Sequence, residues 1–142
     1  MVSEFWNNPE EVKAAVLGML DKSFKDDYIR KKGEDIRSLV VFKYHGPELV
    51  IWVDSRSGEA EYGAGDPPDE PDVIITASSD DAHRVWSNKF NVMLGIARKK
   101  IMITGNATKI LRLLPLLRRF AEYYNATLCE IGKESIILSH NQ

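Results

Sequence analysis

The sequence predicts an α+β domain in which a mainly antiparallel sheet carries its helices on one face. Three observations lead there. Residues 38–76 hold short runs of β-forming residues separated by turn residues, the pattern of hairpin-connected strands. The segments on either side repeat their apolar residues at helical spacing instead. The 142 residues, 44% hydrophobic and 28% charged, suit one domain with a single core and need no disulfide or metal to stabilise it.

The elements follow in order. Asn8 is placed to cap a first helix, Pro9 fits its first position, and Glu11 completes a capping box. Val12, Ala15, Val16, Met19, Leu20 and Phe24 then recur on one face. The densely charged stretch from Asp21 to Arg37 reads as a frayed helix end and a solvated turn at Gly33. Ser38 to Tyr44 and Leu49 to Val53 read as strands around a His45-Gly46-Pro47 turn. A third strand is expected near Glu59 to Tyr62, and Gly63 to Pro71, rich in Gly, Pro and Asp, as a loop. A fourth strand covers Asp72 to Thr76.

Ser78 or Ser79 can then cap a helix whose first turn holds Asp80 and Asp81, where the helix dipole favours acids. Ala82, Val85 and Trp86 give it an apolar stripe. Phe90, Val92, Met93, Leu94 and Ile96 suggest a further helical turn. Lys99 to Thr104 alternates as a fifth strand, Ile101 and Ile103 on one face and Met102 on the other. After Gly105-Asn106 an apolar helix runs from Ala107 to about Tyr123. The tail from Ala126 to Ser139 resembles a sixth strand or a hairpin around Gly132. No boundary divides the chain, so residues 1–142 read as one domain with an unassigned tail over 125–142.

Composition excludes several functions. A net charge of −2 gives no general attraction to nucleic acid. One cysteine, Cys129, excludes an intrachain disulfide or a multi-cysteine metal site and fits a reducing, cytoplasmic location. No apolar run approaches a membrane span, and the acidic, polar N-terminus is unlike a secretory leader.

The motifs of catalysis are missing too. His45, His83 and His140 are far apart, without partners at metal-ligand spacing. His45 falls in a turn and His83 on a polar helix face, so both are expected to be solvated. Cys129 reads as a structural thiol. The acidic loop with Asp66, Asp69, Glu70 and Asp72 matches no calcium-binding spacing. The sequence therefore predicts no catalytic residue, no metal and no cofactor.

The helix after Asn106 carries the functional signal. Ile110, Leu113, Leu114, Leu117 and Phe120 form one stripe, and Leu111 and Leu116 widen it beyond what one sheet face needs. The surplus must meet core, partner or ligand. Pro115, in its interior, cannot bond the Leu111 carbonyl and should kink the helix or start a new one. A broken apolar helix does not pack flush on a sheet, and a gap lined by hydrocarbon can remain.

Several stretches, in order, resemble the sterol carrier protein 2 family of lipid-binding domains. They are Pro71-Asp72-Val73-Ile74-Ile75-Thr76 before Ser78-Ser79-Asp80-Asp81; Trp86-Ser87-Asn88-Lys89-Phe90-Asn91; Lys100-Ile101-Met102-Ile103-Thr104-Gly105-Asn106; and the leucine-rich Leu113-Leu114-Pro115-Leu116-Leu117. The resemblance begins around Glu11 and is clearest from Pro71 to Tyr123. It implies a five-stranded sheet with helices on one side and an apolar tunnel between them. It also implies loose selectivity among sterols, fatty acids, fatty acyl-CoA and phospholipids.

The expectation is therefore a module that binds a long-chain lipid without catalysis, with transfer between membranes left open by the sequence. Its expected tunnel lining is Trp52, Trp86, Phe90, Met93, Leu94, Met102, Ile110, Leu113, Leu114 and Leu117. Pro115 is the expected point of movement for ligand access. The basic clusters Arg98-Lys99-Lys100 and Arg112, Arg118, Arg119 are solvated faces or points of transient contact with anionic lipid. Two alternatives stand beside this reading: the leucine-rich helix seals a homodimer or docks on a partner, or the chain is an accessory domain of a lipid enzyme.

Overall fold

A computed structural model describes residues 3–138. The first helix, α1 (Pro9–Ser23), starts where its cap signals place it. The Asn8 side chain accepts from the Glu11 amide, and the Glu11 carboxylate reaches back to the Asn7 amide at 2.8 Å. Val12, Ala15, Val16, Met19 and Leu20 are all buried. The charged stretch behind it holds more than a frayed helix end and an exposed turn after Gly33. It contains a second helix, α2 (Asp27–Gly33), whose N-terminal amides at Tyr28 and Ile29 bond the Asp26 carboxylate and whose Ile29 is buried.

The sheet comprises β1 (Leu39–His45), β2 (Leu49–Asp54), β3 (Glu61–Ala64), β4 (Val73–Ser78) and β5 (Met102–Gly105), in the order β3-β2-β1-β4-β5. Three neighbouring pairs are antiparallel and one, β1 with β4, is parallel. The chain builds β2 and β3 outward from one side of β1, then crosses to its other side. The third strand lies later than expected: Gly63 and Ala64 are strand, not loop, and Ala64 pairs with Ile51. Gly63 is tolerated there because its bare Cα lies under the Trp52 indole, where a Cβ would crowd the ring.

The remaining helices are α3 (Ser79–Trp86), α4 (Val92–Ala97), α5 (Ala107–Leu111) and α6 (Leu117–Glu130). Ser78 caps α3 through the Asp81 amide, and Asn91 caps α4 through the Leu94 amide. Pro115 breaks the leucine-rich helix as its chemistry requires: α5 stops at Leu111, a single 3-10 turn spans Leu114–Leu116, and α6 begins at Leu117.

The tail is neither strand nor hairpin where it is described. α6 runs through Ala126 to Glu130, and Gly132, at φ 75°, ends it. The Gly132 amide bonds the Cys129 carbonyl and the Lys133 amide that of Leu128, satisfying the last carbonyls of the helix. Ser139 and the rest of the tail lie outside the described residues. The core is built chiefly from α1, α6 and the helix-facing side of the sheet, with Met19, Ile51, Tyr124 and Leu128 fully buried.

Candidate functional site

The period of two along a strand decides which side chains face the helices. On β1 these are Val40, Phe42 and Tyr44; the register places Ile51 and Val53 of β2, Ile75 and Ala77 of β4, and Ile103 of β5 beside them. Above this surface the chain is interrupted twice, between α3 and α4 and again at Pro115. The helical layer does not close flush. A cavity of about 540 Å³ remains between sheet and helices, within the roughly 300–1,000 Å³ usual for small-molecule sites. Ile110, Leu113, Leu114 and Leu117 stay only half buried although they point inward, because the space in front of them is not filled by protein.

The cavity runs along β1. Ser38 lies at one end and Tyr44 at the other, six residues or about 20 Å apart at the rise of an extended strand. At the Ser38 end the rim carries the exposed Arg30, Glu34 and Glu59, together with Gly58 and Ala60 of the turn between β2 and β3. The hydroxyls here are committed to the fold: Ser38 Oγ donates to the Ile36 carbonyl at 2.8 Å, and Ser55 Oγ to the Ser38 carbonyl at 3.2 Å. The inner end is formed by Tyr44, Ala82, Val85, Trp86, Val92 and Ile101. There the Trp86 indole N–H donates to the Tyr44 hydroxyl at 3.0 Å, and burial pushes the Tyr44 phenol well above its ordinary pKa.

Little here resembles a catalytic centre. No group of three His, Cys, Asp or Glu side chains suited to a metal occurs among the described residues. Cys129 lies exposed on α6 rather than packed inside, contrary to the expectation of a structural thiol. His83 is a second correction: it is buried, not solvated, and its ring bonds the Tyr124 hydroxyl and the Ile136 carbonyl. It lies outside the cavity wall. His45 is exposed as expected, and His140 lies outside the described residues.

The profile of the SCP-2 sterol transfer family matches residues 19–118. The chain belongs to this family. Its sheet of five strands under a helical layer is the architecture of solved members. The sterol carrier protein domain 2 of Helicoverpa armigera superposes with a TM-score of 0.63 at 25% identity, covering 82% of this chain and 94% of that one. Sterol carrier protein 2 of Yarrowia lipolytica, in its apo form, gives 0.56 at 15% identity over 88% and 94% of the two chains, a likeness of fold. Among curated proteins, the human hydroxysteroid dehydrogenase-like protein 2 is 24% identical over 98 residues. Those residues are 68% of this chain but 22% of that protein, so the chain spans about a fifth of its relative.

Within this family member, half of the expected lining residues lie on the cavity wall: Trp86, Ile110, Leu113, Leu114 and Leu117. The other five do not. Trp52 pairs with Val41 and Met102 with Thr76, so both project from the sheet face away from the helices. Phe90 packs on Gly95, and Met93 and Leu94 are 54% and 43% exposed at the surface of α4. Phe42, Tyr44, Ile75 and Ile103 line the cavity as well, outside the expected set. The strand alternation that opposes Ile103 to Met102 was sufficient to choose between them.

Proposed function

We propose that this chain holds a long-chain lipid in the cavity between sheet and helices, and releases it without chemical change. The observation that carries this reading is the cavity itself: about 540 Å³, walled by aliphatic and aromatic side chains, in a member of the SCP-2 sterol transfer family. Removing hydrocarbon from water supplies the driving force. At about 0.8 kcal/mol per methylene, a sixteen-carbon chain offers roughly 12 kcal/mol gross. Immobilising the ligand and desolvating its head consume several kcal/mol, which leaves micromolar to nanomolar affinity. Fatty acids, fatty acyl-CoA, sterols and phospholipids all present such hydrocarbon. Because burial of hydrocarbon is undirected, discrimination among these lipid classes is modest.

The rim at Arg30, Glu34 and Glu59 is where a polar head meets water, and the segment broken at Pro115 is where the wall yields for access. Loading takes place at a membrane surface. Met93, Leu94 and Met102, the last 57% exposed, flank the basic run Arg98-Lys99-Lys100, a combination suited to brief contact with anionic lipid. No helix of the described residues is long and apolar enough to cross a membrane. In a longer protein the same module would present its lipid to a separate catalytic unit, consistent with the 22% share of the dehydrogenase-like relative that it matches.

Native mass spectrometry of the purified protein, followed by titration with a fluorescent fatty-acid analogue, tests the reading. Retained lipid or saturable one-to-one binding supports it. A lipid-free protein that binds no analogue overturns it.

A further inference from the structure

We propose that the inner end of the cavity is a recognition point for oxygen: the Tyr44 hydroxyl selects elongated apolar ligands whose leading end carries a neutral hydrogen-bond acceptor, such as a carbonyl, ether or hydroxyl oxygen. This deepens the lipid-holding reading and rests on it.

Of the neutral polar hydrogens on the side chains of the described wall, all but one are bonded within the fold. Ser38 Oγ–H is bonded to the Ile36 carbonyl, and Ser55 Oγ–H to the Ser38 carbonyl. The Trp86 indole N–H is bonded to the Tyr44 oxygen at 3.0 Å. Tyr44 thus accepts a hydrogen bond, but its own O–H has no acceptor among the described residues. At 5% exposure it has little access to bulk water either. A buried donor without an acceptor is costly, and in native structures such a group calls for an explanation. Here the explanation is a ligand atom. The bond received from Trp86 polarises the Tyr44 O–H and strengthens it as a donor.

The chemistry of the surroundings narrows the acceptor. Burial raises the Tyr44 pKa, so the phenol keeps its proton at physiological pH. An anionic carboxylate or phosphate would arrive at this end without a cation to meet it, because the charged side chains of the described wall, Arg30, Glu34 and Glu59, sit at the rim. A neutral oxygen pairs with Tyr44 at no such cost. A plain methyl terminus leaves the donor unpaired, so a ligand lacking the oxygen binds more weakly by about one net hydrogen bond.

The test compares two isomers of equal hydrophobicity: a long-chain methyl ketone, with its carbonyl next to the chain end, and the isomer with its carbonyl at mid-chain. Each displaces a fluorescent lipophilic dye from the wild-type protein and from Tyr44→Phe. The wild type should prefer the terminal ketone about fivefold, the ratio given by one net hydrogen bond of about 1 kcal/mol. In Tyr44→Phe the ratio should fall to near one. A wild type indifferent to carbonyl position overturns the proposal whether or not the variant folds, and so does a preference that survives in Tyr44→Phe. If wild type binds neither dye nor ketone, the lipid-holding reading itself falls. Infrared spectroscopy adds a readout without mutation: the bound terminal ketone should show a carbonyl stretch lowered from its value in alkane solvent, and an unshifted band overturns the assignment.

Discussion

The Tyr124 hydroxyl lies 2.7 Å from Nδ1 of His83, and the direction of this bond is set by what the other ring nitrogen meets. The other ring nitrogen, Nε2, lies 2.8 Å from the Ile136 carbonyl, which can only accept. Nε2 therefore carries the hydrogen, and Nδ1 accepts from Tyr124. The neutral ring ties α3, α6 and the segment after α6 together.

Stability should therefore decline in mild acid. Burial holds the His83 pKa down at about 4 from an ordinary 6.5; the Ile136 bond and Asp80 oppose the shift, while Arg84 and Lys133 reinforce it. The unfolded chain takes up a proton as pH falls through 6.5, and the folded protein only near 4. Stability from this group is full above pH 6.5, declines through the window and is lost below 4, on the order of 3 kcal/mol in all. Melting curves from pH 7.5 to 4 should show a smaller decline for His83→Gln than for the wild type. Equal slopes would remove His83 as the cause.

Gly18 of α1 lies against Thr127 of α6, so closely that a Cβ on Gly18 would overlap the Thr127 methyl. Gly18→Ala normally gains about 1 kcal/mol inside a helix. Here overpacking of about 1–3 kcal/mol should outweigh that gain. Chemical denaturation should show a net loss for Gly18→Ala and recovery in Gly18→Ala with Thr127→Ser, which removes the methyl but keeps the hydroxyl bonded to Lys22 and the Tyr123 carbonyl. A stabilised single variant would contradict the close fit.

The elements with local signals were legible in the sequence. Asn8, Pro9 and Glu11 define the start of α1, and Pro115 the break before α6, because caps and missing amide hydrogens act within a few residues. The misreadings arose where one strong local signal hid a weaker periodic one. Charge around Ile29 concealed α2, although Asp26 is an ordinary cap. Gly132 suggested a hairpin, yet Tyr124, Thr127 and Leu128 continue the helical stripe, and the glycine is the left-handed residue that ends it. His83 reads as solvated in the sequence because its burial depends on Tyr124 and Ile136, distant in sequence. The cavity was legible as a surplus of leucine, but its floor is set by strand register, and register is a tertiary property. That is why Tyr44 escaped notice and Trp52 did not.

Filling the cavity should weaken lipid binding without unfolding the chain. Leu113 is half buried on the wall beside free space, so Leu113→Trp has room for its larger ring. Binding of a fluorescent fatty-acid analogue should weaken at least tenfold, with the melting temperature held or raised. Undiminished binding in a folded variant would place the ligand elsewhere.

Membrane contact should depend on charge near α4. Arg98, Lys99 and Lys100 form the turn that leaves this helix, and backbone bonds from Lys100 and Ile101 to the Gly95 carbonyl fold the turn against it. Met93 and Leu94 are exposed on the same element and would serve as apolar anchors in the proposed contact. Each basic side chain near an anionic surface contributes about 1 kcal/mol, an attraction that salt screens within a Debye length. Lys99→Glu with Lys100→Glu should lower partitioning onto phosphatidylserine-containing vesicles by at least tenfold. The same pair should leave the weaker partitioning onto neutral vesicles nearly unchanged and should slow lipid transfer only to the anionic ones. Vesicle co-sedimentation at low and physiological salt measures the first, and a fluorescence-dequenching transfer assay the second. A double variant that sediments with anionic vesicles as the wild type does would assign the contact to another face.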